Sequence, residues 1–86
     1  MRYQVVWTTD AENDLANAWL AATDRNSITR AAAEIDAILA KSPNSLGESR
    51  TANVRITFIP PLAVEFEVLD QQQTVYVIAA WTYVIR

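Results

Sequence analysis

The sequence predicts an α+β domain of order β-α-α-β-β-β, with a helical hairpin packed on one face of an antiparallel sheet. Three observations predict it: β-type runs at residues 53–59, 62–69 and 74–81 joined by tight connections, two stretches with apolar residues at helical spacing before them, and an alternating run at 2–8 that opens the chain. With 86 residues, 51% of them apolar, and no linker or repeat, residues 1–86 read as one domain with one modest core.

The elements follow in order. Tyr3, Val5 and Trp7 alternate onto one face of the first strand. Thr9-Asp10-Ala11-Glu12 fits a capping box, with Thr9 as the cap, and opens a helix whose buried stripe is Leu15, Ala18, Trp19 and Ala22. Asp10, Glu12 and Asp14 place negative charge at the positive end of that helix, which accounts for them without a metal or a catalytic role. Residues 24–26 break the helix, and Asn26 or Ser27 caps a second one carrying Ile28, Ala32, Ile35 and Leu39 on its inner face. So short a connection between two amphipathic helices implies that they lie antiparallel. Pro43 stops the second helix, and residues 44–52 form a loop holding Gly47, the single glycine, which excludes a glycine-rich phosphate cradle.

The last three strands predict each other's phase. Val54, Ile56 and Phe58 form one core row, Leu62, Val64, Phe66 and Val68 a second, and Val75, Val77, Ala79 and Trp81 a third, with turns at Pro60-Pro61-Leu62 and at 70–73. In this register Ile56 pairs with Phe66, Phe66 with Val77, and Val68 with Val75. The opposite face then holds Arg55, Glu67 and Tyr76 in one row, with Thr57 and Glu65 beside them. Arg55, Glu65, Glu67 and Tyr76 are therefore the candidates for acid/base and anion-binding chemistry, against the plainer reading of a solvated sheet face with cross-strand pairs worth about 0.2–1 kcal/mol each. Trp7, Trp19 and Trp81 are expected to pack in the core.

Composition removes several function classes. There is no cysteine and no histidine, hence no disulfide, no thiolate nucleophile, no imidazole base and no zinc site of the usual kind; neither a metal nor a cofactor is called for. Seven basic against ten acidic residues give a net charge of −3, which argues against nucleic acid as a direct partner. The longest wholly apolar stretch, 75–81, is far below the roughly 18 residues of a membrane span, and the expected location is the cytoplasm.

The opening strand, the helix beginning Thr9-Asp10-Ala11-Glu12-Asn13-Asp14-Leu15, the second helix closing at Ile38-Leu39-Ala40-Lys41-Ser42-Pro43, and the strands Val54-Arg55-Ile56, Val64-Glu65-Phe66-Glu67-Val68 and Val75-Tyr76-Val77-Ile78 together resemble the RelE/ParE family of toxins from bacterial type II toxin-antitoxin modules. Gly47-Glu48-Ser49-Arg50 and Pro60-Pro61-Leu62-Ala63-Val64-Glu65 look like a divergent subgroup. The resemblance implies a toxin neutralised by a cognate antitoxin. RelE-like members cleave mRNA in the ribosome with Lys and Arg side chains from the sheet, whereas ParE-like members lack those residues and act on DNA gyrase. Carried over, Arg55 stands at a basic position of the second strand; Thr57, Ala63 and Tyr83 stand where further basic residues are expected. The expected function is accordingly a ParE-like or degenerate toxin that acts by binding protein partners, with Arg50, Tyr83 and Arg86 as contact residues. A ribosome-dependent endoribonuclease with an unusual site and a stand-alone homo-oligomeric binding domain are the alternatives.

Overall fold

The computed structural model describes residues 2–45, 48–51 and 53–83, and side chains throughout these except at 45 and 48–51. The elements run β1 (Gln4–Trp7), α1 (Thr9–Ala21), α2 (Arg25–Lys41), a short 3-10 turn (Pro43–Ser45), β2 (Glu48–Thr51), β3 (Val54–Ile59), β4 (Leu62–Leu69), a second 3-10 turn (Asp70–Gln72) and β5 (Thr74–Thr82). The five strands form one sheet in the order β1-β5-β4-β3-β2. The last three strands are the expected antiparallel meander, β1 joins it by parallel pairing with β5, and β2 adds a short antiparallel edge where the sequence suggested only loop. Both helices lie on one face.

The core sits between that face and the helices. Ala11 of α1, Ile28, Ala31, Ile35 and Leu39 of α2, and Leu62, Val64, Phe66 and Val68 of β4 pack with Val75, Val77 and Ala80 of β5. Phe66 opposes Val77 and Val68 opposes Val75, as the alternation requires.

Two strands differ in phase from the sequence reading. β3 and β4 are joined by Pro60-Pro61 alone, a cis peptide, so that Ile59 pairs with Leu62. The expected turn included Leu62. Shortening it by one residue moves the whole register: Arg55 opposes Phe66 and Thr57 opposes Val64 on the helix face, while Val54, Ile56 and Phe58 oppose Glu67, Glu65 and Ala63 on the far face. The row of Arg55, Glu67 and Tyr76 therefore does not exist. On β5 the ladder passes from Phe66↔Val77 to Glu65↔Ala79, which leaves Ile78 as an extra, bulged residue. Beyond the bulge Ala80 faces the core, and Ala79 and Trp81 face away. Trp81 is thus 38% exposed rather than packed.

Polar anchors hold the helices to the sheet. The cap of α1 is Thr8, one residue earlier than expected: its hydroxyl accepts from the Ala11 N–H at 3.2 Å and donates to the Val77 carbonyl at 3.0 Å. That second bond to β5 selects Thr8 over Thr9. Asp14, one turn on, accepts the Ala80 N–H at 3.1 Å, so that a helix carboxylate binds the strand just past the bulge. α2 is capped by Asp24, not Asn26 or Ser27; Asp24 accepts from the Ser27 N–H at 3.2 Å, and the Ser27 hydroxyl donates to the Asp24 carbonyl at 2.8 Å.

A third anchor closes the end of the molecule. The Tyr3 hydroxyl donates to Asp70 Oδ1 at 2.6 Å, and Asn44 Nδ2 donates to the same oxygen at 2.7 Å. This clasp ties the chain entering β1 to the turns that follow α2 and β4. The hydrogen bond from Tyr3, then that from Asn44, lowers the Asp70 pKa, and the bond to Asp70 raises that of Tyr3.

Asp14→Ala will lower stability in urea denaturation by about 1–3 kcal/mol, because the Ala80 N–H loses a charged acceptor, and Asp14→Asn will recover part of that loss. The strand phases predict a large contrast between two aromatics: Phe66→Ala will cost about 3–5 kcal/mol and Trp81→Ala less than about 1.5 kcal/mol in the same assay. The clasp adds a pH dependence. Asp70 is depressed in the folded protein, so its contribution is complete above the unfolded carboxylate value of about 3.9 and disappears as pH falls through the folded value; that of Tyr3, which is raised, is complete below about 10 and disappears as pH rises through the folded value. Asp70→Asn will flatten both limbs of the stability-pH curve.

Candidate functional site

Two surfaces remain uncovered. One is the far face of the sheet. β4, the middle strand of the meander, places Ala63, Glu65 and Glu67 there in succession. Across on β5, Tyr76 opposes Glu67 and Ala79 opposes Glu65; across on β3, Val54 and Ile56 fill the same positions. Each carboxylate is therefore flanked by groups that cannot neutralise it. Neither Glu65 nor Glu67 has a hydrogen-bond or ion-pair partner among the described residues, and both are half-buried. Same-face residues on one strand lie about 7 Å apart, so the two charges form a short acidic stripe.

Beside the stripe the face turns aromatic. Ala63 is opposed by Phe58 on one side and Trp81 on the other, 51% and 38% exposed. Tyr83 meets Phe58 edge to face, with centroids 5.4 Å apart and planes at 80°. Ala63, between Phe58 and Trp81, has no exposed surface, so this end of the far face is an aromatic patch.

Of the residues singled out from the sequence, Glu65, Glu67 and Tyr76 are brought together and Tyr83 lies at the rim of the same face. Arg55 is not with them. It belongs to the helix face, where it makes contacts of its own, so the one basic side chain expected in the site is on the other side of the sheet. The far face carries no Lys or Arg from β1, β3, β4 or β5. Arg50 belongs to β2, but its side chain lies outside the described residues, as Arg86 does entirely. No group of three metal-ligating side chains occurs among the described residues.

The other surface is a groove of about 810 Å³ between α1 and α2, open to solvent, with walls that include Trp7, Leu15, Trp19, Leu20, Ile28 and Ala32. Glu12 is the single charged residue along it. Trp19, expected in the core, is 40% exposed and Leu20 is 62% exposed. Arg25 holds Trp19 from behind: its guanidinium lies 4.5 Å from the ring centroid, and it donates to the Trp19 and Leu20 carbonyls at 3.1 and 3.3 Å. These bonds also give the last turn of α1 a cation, which the helix lacks in its own sequence. At the other end, Trp7 Nε1 donates to Asp36 at 3.2 Å.

The groove and the aromatic patch escaped the sequence reading. One signal for the groove was present. Trp19 and Leu20 are adjacent, and a helix rotates about 100° per residue, so both cannot occupy one narrow buried stripe. The patch had no local signal, since it depends on the length of one turn and the place of one bulge.

No family model and no curated protein matches the sequence. Comparison of the fold with solved structures does find likenesses. A chain of the RelBE2 toxin-antitoxin complex of Mycobacterium tuberculosis superposes with a TM-score of 0.80 at 17% identity, covering 96% of this chain and 100% of that one. A chain of the chromosomal ParDE system of P. aeruginosa gives 0.72 at 16% identity, covering 95% and 97%. A mutant of the E. coli toxin RelE in the free state also gives 0.72, at 12% identity, covering 95% and 84%. The fold is thus the RelE/ParE-like toxin fold, α+β with both helices on one face of the sheet.

Proposed function

We propose that this protein is the toxin of a type II toxin-antitoxin pair, acting on a protein target in the ParE-like manner rather than cutting mRNA. The observation that carries the choice is the charge of the far sheet face. Phosphoryl transfer without histidine requires several cations around the scissile phosphate to stabilise its developing charge. Among the described side chains the far face carries two unpaired glutamates and no cation, and such charges repel a phosphate backbone rather than hold it. Aromatic side chains at the same face, by contrast, are the groups that anchor protein contacts.

The neutralising partner belongs on the opposite side. The groove between α1 and α2 has the breadth and apolar lining to receive one face of an amphipathic helix, and solved structures of this fold include toxin-antitoxin complexes. An antitoxin helix with apolar residues at i, i+3, i+4 and i+7 satisfies it, with Trp19 and Leu20 as the contacts of greatest consequence.

Induced expression of the chain in a bacterial host is expected to arrest growth, and coexpression of a small protein encoded beside it to restore growth. Trp19→Ala combined with Leu20→Ala will weaken that protection by tenfold or more. Primer extension on mRNA from the arrested cells will show no discrete cuts, and DNA gyrase supercoiling will fall when the purified chain is added. Discrete cuts that vanish in Glu65→Gln or Glu67→Gln would instead establish the endoribonuclease. Unaffected growth with no copurifying small protein would remove both toxin readings and leave a homo-oligomeric binding domain.

A further inference from the structure

We propose that the far face of the sheet is a docking surface for a basic, extended segment of a protein partner, with Glu65 and Glu67 pairing its cations and Phe58, Trp81 and Tyr83 receiving the side chains between. This inference rests on the sheet face alone and holds whether or not the chain is a toxin.

The first argument is the missing neighbour. In an antiparallel sheet a carboxylate is ordinarily neutralised by a cross-strand cation, and here all four positions across from Glu65 and Glu67 hold Ile56, Ala79, Val54 and Tyr76. Two half-buried carboxylates in an apolar setting, with no partner among the described residues, are complementary to positive charge from outside. The second argument is the adjoining aromatic patch around the fully buried Ala63. Phe58 and Trp81 flank Ala63 from the neighbouring strands and remain 51% and 38% exposed. Exposed rings there bind the face of a guanidinium or the stem of a lysine.

The same geometry selects among occupants. Two copies of this chain meeting face to face would bring four carboxylates together with no cation among the described side chains of that face. A nucleic acid strand would find rings on which to stack but would lay its phosphates against the acidic stripe. A peptide with Arg or Lys at alternate positions meets both requirements, since its cations recur at about the 7 Å interval that separates Glu65 from Glu67.

The test is nuclear magnetic resonance titration of the isotope-labelled chain with three probes: a twelve-residue peptide alternating Arg and Val, the same peptide with Glu for Arg, and a twelve-nucleotide single-stranded RNA. The basic peptide is expected to shift the amides of Ala63, Glu65, Glu67, Tyr76 and Trp81 while leaving α1 and α2 unmoved, with affinity falling as salt rises. Glu65→Gln with Glu67→Gln will weaken it about tenfold, the sum of two partly desolvated ion pairs, and Trp81→Ala will weaken it independently. Glu34→Gln, on the exposed side of α2, will leave it unchanged, and amide dispersion will verify that each variant is folded. Binding of the RNA or the acidic peptide at the same amides, shifts confined to the helices, no binding of the basic peptide, or equal binding to the double glutamine variant would overturn the proposal.

Discussion

Everything about this molecule depends on the phase of one strand. β4 presents Leu62, Val64, Phe66 and Val68 to the helices with 3% exposure or less, and strict alternation forces Ala63, Glu65 and Glu67 to the other side. It also has a strand on each flank, so its phase passes to β3 through a two-residue hairpin and to β5 through the ladder. A slip of one residue would bury two carboxylates and expose four apolar side chains, a cost of several kcal/mol on each count. The register has no competing state.

That constraint divides the chemistry of the domain. The helix face of the sheet contributes the core, and two backbone groups of β5 bond to α1 and its cap: the Thr8 hydroxyl donates to the Val77 carbonyl and Asp14 accepts the Ala80 N–H. Among the described residues no element covers the far face, and Glu65 and Glu67 have no partner there. The helices in turn cover the sheet with their inner stripes and leave a valley between them, into which Trp19 and Leu20 protrude. The fold thus leaves two chemically distinct surfaces on opposite sides of a single small core.

The two surfaces also differ in kind. The helical groove is apolar with one charge along it, which favours recognition by shape and by the spacing of apolar residues. The far face combines an acidic stripe with exposed rings, which favours recognition by charge. The chain carries a net charge of −3, a field that attracts positive charge over longer distances.

Local chemistry was enough to read the number of helices, the three-stranded meander, the inward rows of β4 and the proximity of Glu65, Glu67 and Tyr76, because alternation and helical periodicity act over a few residues and each repeats a clear signal. Arg55, Trp81 and Trp19 were misplaced for a different reason. The face of Arg55 depends on whether Leu62 belongs to the turn or to the strand, and that is decided by pairing with Ile59. The face of Trp81 depends on a bulge at Ile78, which has no mark of its own in the sequence and is held from a distance by Asp14. Trp19 sits where a periodic stripe suggests burial, yet no third element arrives to cover it. Burial is a property of what packs opposite a residue, and assembly of the sheet against the helices settled it.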